Sequence, residues 1–153
     1  SIPAQEKRRL KRLELNKTAL VLHCSGTHIS TGACPSAVIN KISAMLAERG
    51  AQLLPAPQHS LLDANATKLA MDQNAAYIAA ISVESRFLEE INGEFFAEAN
   101  ISLKRIDSTD QKALVSIEVS PEKGGHIAAR EAELAAIDAA LENLAYQLVA
   151  HTF

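Results

Sequence analysis

A chain of 153 residues with 48% hydrophobic and 22% charged side chains has the composition of one globular domain, large enough to bury a core without a metal or several disulfides. Aromatics at 4%, with no Trp, argue against a base-stacking or carbohydrate platform. The net charge of −3 hides an asymmetry: residues 1–18 hold six Lys or Arg (Lys7, Arg8, Arg9, Lys11, Arg12, Lys17) and two Glu, a net +4, leaving 9 cations and 16 carboxylates, a net −7, in the remainder. So acidic a body is unlike a duplex-binding surface, and no nucleic acid partner is expected.

Residues 1–17 thus read as a basic amino-terminal arm or linker and residues 18–153 as a single domain. Charge runs are commonly solvated; the sharper reading is membrane proximity or partner docking, because Lys and Arg are drawn to anionic surfaces. There is no secretory signal and no apolar run of transmembrane length. The opening at Ser1, without Met, suggests a processed or excised chain whose signal or anchor would be invisible.

Residues 18–24 (TALVLHC) form a short apolar run suited to a buried first strand, followed by the small, hydroxylated loop SGTHISTGA. A helix is predicted from Pro35, a first-turn residue, to just before Gly50, with Val38, Ile42, Met45 and Leu46 as its buried stripe. Residues 51–55 read as a second strand ended by Pro55 and Pro57. Ser60 and Asp63 resemble a capping box that opens a second helix reaching about Asn74.

Period-two alternation then takes over. From Ala76, Tyr77, Ala79, Ile81, Val83 and Phe87 share one side, with Ser82, Glu84 and Arg86 on the other. Phe95, Ala97, Ala99, Ile101 and Leu103 repeat the pattern against Glu98, Asn100, Ser102 and Lys104, as do Ala113, Val115, Ile117 and Val119 against Ser116, Glu118 and Ser120. Asn92-Gly93 between two such runs is a hairpin signal, since both residues accept positive φ. Residues 76–90, 94–107 and 112–120 are therefore expected to form an antiparallel meander. A last helix over 127–150 should cover it with Ile127, Leu134, Ile137, Leu141, Leu144 and Leu148, leaving Glu131, Glu133, Asp138 and Glu142 off the stripe. The fold class is α+β: a mixed sheet with β-α-β-α-β-β-β-α order and helices packed on one face. The other face, with Glu84, Arg86, Glu98, Lys104 and Glu118, is left to solvent or to a partner.

The densest cluster of reactive side chains is His23, Cys24, His28 and Cys34. Three readings stay open: a Cys24–Cys34 disulfide, two thiols packed as small hydrophobes, or a metal site or Cys nucleophile. The even count and a Pro35 start that puts Cys34 at the helix cap favour the bridge. The spacing matches no standard zinc knuckle, so neither metal nor cofactor is expected. The loop holding Thr27, His28, Ser30 and Thr31 could cradle an anion on backbone N–H groups before the helix, or be a plain connection. No catalytic set of nucleophile, base and oxyanion donor can be assembled from the sequence.

The element order, with TALVLHCSGTHISTG opening it and AAYIAAISVES and FFAEANISLKRIDSTDQKALVSIEVS as its meander, resembles a group of bacterial envelope domains over about residues 18–150. These are the TolB amino-terminal domain, the curli secretion protein G family, penicillin-binding-protein activator lipoproteins and the flagellar assembly protein T middle domain. Ala75-Ala76-Tyr77 stands where those families have an Ala-Asp-Tyr-like start of the third strand; the cysteine pair departs from their commonest members. The resemblance implies a non-enzymatic periplasmic or outer-membrane-associated module that helps assemble a secretion, flagellar or peptidoglycan-synthesis machine. Its partners would be other envelope proteins or further copies of itself. One alternative is a small enzyme or ligand-binding domain using the Cys24/His28 loop, and another is a cytosolic regulatory domain whose basic arm continues from a membrane helix.

Overall fold

The computed structural model describes residues 2–7, 17–29, 31–54, 58–59 and 75–151. Strand β1 (Lys17–Ser25) leads through a loop into helix α1 (Ser36–Glu48), followed by the short strands β2 (Gln52–Leu53) and β3 (Gln58–His59). The long strands β4 (Tyr77–Ile91), β5 (Glu94–Asp107) and β6 (Ala113–His126) come next, then helix α2 (Ala129–Gln147) and a 3-10 turn, Leu148–Ala150. The helix expected over 60–74 lies outside the described residues, as do Ser30 and most of the basic arm.

The sheet runs β2-β1-β4-β5-β6, with β3 also on the outer edge of β1. β1 is parallel to β2, β3 and β4, while β4, β5 and β6 form the antiparallel meander. The β4–β5 turn has Asn92 at φ 51° and Gly93 at φ 82°, the pair of positive values that a two-residue hairpin needs. The next turn is held by Asp107, whose carboxylate accepts the Thr109 N–H at 2.8 Å.

The main core lies between the sheet and α1 with α2. Leu20, Leu22, Ala79, Ile81, Ala97, Ile101, Leu103 and Ile117 meet Ile42, Leu46, Ile137, Leu141, Leu144 and Leu148. Each fully buried aliphatic contributes on the order of 1.5–3 kcal/mol. A smaller cluster, Ala19, Val21, Ala75, Ile78 and Ala80, occupies the other face at the start of β1 and β4. α2 lies close to the sheet because its seam is small: Ala132, Ala136 and Ala140 are fully buried. At Gly124 of β6 even a Cβ would sit 2.3 Å from the Ala136 backbone nitrogen.

Three expectations need correction. β6 does not stop near residue 120; its pairing is interrupted opposite Asn100 and then continues to His126. Ile127 therefore falls before α2 and is 80% exposed instead of opening the helix's buried stripe. Glu133, expected off that stripe, is on it and fully buried. Its offset of four residues from Ile137 puts both on one helix face.

Candidate functional site

β1 delivers Cys24 to the sheet's carboxyl end, where the Cys24–Cys34 disulfide ties it to the start of α1 with Cα atoms 5.0 Å apart. Paired backbone bonds between Cys24 and Gly32, at 2.8 and 3.3 Å, close the intervening loop. Gly32 turns at φ 111°, a value that favours glycine. The bridge is the first of the three cysteine readings, and it leaves both sulfurs committed.

The backbone N–H groups at the start of the loop are taken by the protein's own Glu133. Glu133, in the second turn of α2, takes the Thr27 N–H (2.8 Å) and the Ser85 hydroxyl (2.8 Å) on Oε1. Its Oε2 takes the His28 N–H (2.7 Å) and faces His28 Nδ1 at 2.8 Å. A carboxylate oxygen accepts, so Nδ1 is the donor in this contact. Thr27 Oγ1 accepts the Phe87 N–H at 3.0 Å, tying the loop to β4 as well. Gly26 leaves the room: a Cβ there would stand 2.4 Å from Ser85 Oγ and 2.6 Å from Glu133 Oε1. A buried carboxylate is costly unless its oxygens are satisfied, and these four contacts satisfy both.

His28 keeps 40% of its side chain exposed and stands edge-on to Phe87, 5.8 Å between centroids, which in turn meets Phe95 at 6.0 Å. Of the loop residues singled out in the sequence, Thr27 and His28 are engaged by Glu133, Thr31 is exposed, and Ser30 is outside the described residues. Neither Glu133 nor Ser85 was singled out. The signal that finds Glu133 is its place four, seven and eleven residues before Ile137, Ala140 and Leu144.

On the helix-free face, Glu84, Arg86 and Lys104 are exposed, as is Glu118, and Arg86 is ion-paired with Glu98 across β4 and β5. Where β6 pairing is interrupted, a groove of about 560 Å³ opens, lined by Ser82, Glu84, Asn100, Ser102, Glu118, Ser120 and Pro121. Its polar lining is three hydroxyls, one amide and two carboxylates, a surface suited to hydrogen bonding and to cationic groups. No described helix is long and apolar enough to cross a membrane.

No family model matches this chain, and no curated protein matches its sequence. Solved structures do match. Lipoprotein GNA1162 from Neisseria meningitidis is similar with a TM-score of 0.55 and 14% identity, over 88% of this chain and 99% of that one. The PelC L103M dodecamer from Paraburkholderia phytofirmans gives 0.50 and 17%, over 87% and 85%. A minor lipoprotein from Acinetobacter baumannii gives 0.43 and 12%, over 89% and 92%. The first two carry the comparison, and at such identities what is shared is the fold. Lipoprotein GNA1162 and PelC are each built on this α+β fold.

Proposed function

We propose that this chain is a binding and assembly module of the bacterial envelope, acting in the periplasm or at the outer membrane without catalysing a reaction. The observation that carries the reading is the helix-free face of the meander: a polar groove between Glu84 and Glu118 on a sheet whose opposite side holds the main core. The reactive groups near β1 are engaged with one another. Cys24 is bonded to Cys34, and the Glu133 carboxylate accepts from the loop, Ser85 and His28. That favours binding over the alternative of a small enzyme built on the Cys24/His28 loop. The disulfide fits an oxidising compartment.

Partners would be other envelope proteins and further copies of this chain; PelC, of the same fold, is a dodecamer. The surfaces offered are the face of Glu84, Arg86, Glu98, Lys104 and Glu118, the hairpin tip at Asn92, and the exposed part of the loop at His28 and Thr31. The basic arm adds attraction to an anionic membrane. The host machine would be a secretion, flagellar or peptidoglycan-synthesis complex.

Fractionation of cells carrying the intact protein, with mass spectrometry of its thiols and of whatever cross-links to it, tests the reading. An envelope fraction, an intact bridge and envelope partners are expected. Recovery from the cytosol with two free thiols would sink it.

A further inference from the structure

The hairpin between β4 and β5 ends, beside Asn92, in an apolar and acidic patch remote from Glu133 and the disulfide. The register shifts between Phe87 and Glu89, and past it Glu89 pairs with Phe96 and Ile91 with Glu94. Ile91 and Phe96 are diagonal neighbours there, close enough to share one contact surface. Ile91 is 49% exposed. Phe96 lies over Gly125, where a Cβ would come within 3.1 Å of its ring. Glu89 and Glu94 are exposed on the same face as this pair, Glu90 is exposed on the other face opposite Phe95, and among the described residues no ion pair holds them. An apolar pair flanked by carboxylates at a hairpin tip fits a partner segment of apolar side chains among cations.

The chain carries such a segment. Residues 8–15 read RRLKRLEL, placing Leu10, Leu13 and Leu15 among Arg8, Arg9, Lys11 and Arg12. It cannot reach the tip of its own sheet. Leu10 stands seven residues before Lys17, so full extension carries it at most about 25 Å from the start of β1. Thr18 is level with Tyr77, and Ile91 lies fourteen residues further along β4, roughly 45 Å at the rise of a strand.

We infer that the hairpin tip at Ile91, Phe96, Glu89, Glu90 and Glu94 is a docking site for residues 8–15 of a second copy of this chain. Arm and tip are different surfaces, so the contact is head-to-tail and repeats into a ring or a filament. Attraction between the arm's cations and the tip's carboxylates weakens as salt screens it. The inference rests on the self-assembly part of the proposed function.

Sedimentation velocity of the full chain over concentration, at low and high salt, tests it with two variants. One reverses the arm (R8E/R9E/K11E/R12E) and the other the tip (E89K/E90K/E94K); the reversed tip residues are exposed, and thermal melts check that both variants fold. The wild type is expected to self-associate at low salt, each variant roughly tenfold or more weakly. An equal mixture of the two should regain assembly, because each reversed surface then meets its complement. A photo-crosslinker at position 91 should map to residues 8–15 of another copy. A wild type that stays monomeric, variants that associate like it, or a mixture that regains nothing would overturn the inference. Envelope partners recovered alongside any of those results would leave the wider functional reading standing.

Discussion

Glu133 and His28 are separated by 105 residues, yet the Glu133 carboxylate holds both the backbone N–H and the ring Nδ1 of His28. One side chain of the last helix thereby fixes the loop that follows the first strand, and Ser85 of β4 completes the tie. Glu133→Ala would leave the N–H groups of Thr27 and His28 and the Ser85 hydroxyl without their acceptor. Of these only the Ser85 bond is buried, and an unsatisfied buried group costs about 1–3 kcal/mol, so a loss of about 1–3 kcal/mol is expected in urea denaturation. A change below about 0.5 kcal/mol would mean that the loop finds other partners at no cost.

The disulfide closes a loop with a sequence separation of 10, for which chain entropy gives roughly 2–3 kcal/mol. Cys24→Ser/Cys34→Ser should lower the denaturation midpoint accordingly, and intact mass without reductant should show the bridge in protein taken from its native compartment. Two free thiols there would contradict both the bridge and an oxidising location.

α2 is held by packing, with no side-chain cap at its start. Leu141→Ala should cost about 2–5 kcal/mol, as large-to-small core changes do, while Glu98→Ala, which breaks a surface ion pair, should cost less than about 1 kcal/mol. Gly124→Ala pushes a methyl into the backbone of Ala135 and Ala136 and should cost about 1–3 kcal/mol or more. Equal midpoints for the Leu141 and Glu98 variants would put the helix in another register.

Asp107 holds its turn with a carboxylate kept below the usual range, chiefly by the Thr109 backbone N–H. A lowered folded-state pKa adds stability that is present above the unfolded carboxylate value and is lost as pH falls through the folded one. Asp107→Asn should therefore flatten part of the acid limb of the stability profile and leave the slope near neutral pH unchanged. An unaltered acid limb would remove Asp107 from the account.

The meander was legible because period-two alternation records which face is buried, and because Asn92-Gly93 names its own turn. The bridge was legible as one of three choices. β6 ran further than expected because Pro121, Gly124 and Gly125 look like an ending, whereas Pro121 falls at a pairing irregularity of this edge strand and the glycines beyond it pair regularly with Ala97 and Phe96. Glu133 was hidden by its chemistry: a charged residue is counted off a buried stripe unless its partners are known, and those partners lie on β4 and in a loop more than 100 residues away.

The measurement that bears most directly on binding through the exposed sheet is quantitative co-purification from envelope extracts, comparing the wild type with Glu84→Lys/Glu98→Lys/Glu118→Lys. The account predicts that the triple variant recovers far less of the wild type's partners while melting within a few degrees of it. Undiminished recovery with the triple variant would contradict the account, the more so if an enzymatic activity disappeared in a folded Cys24→Ser protein.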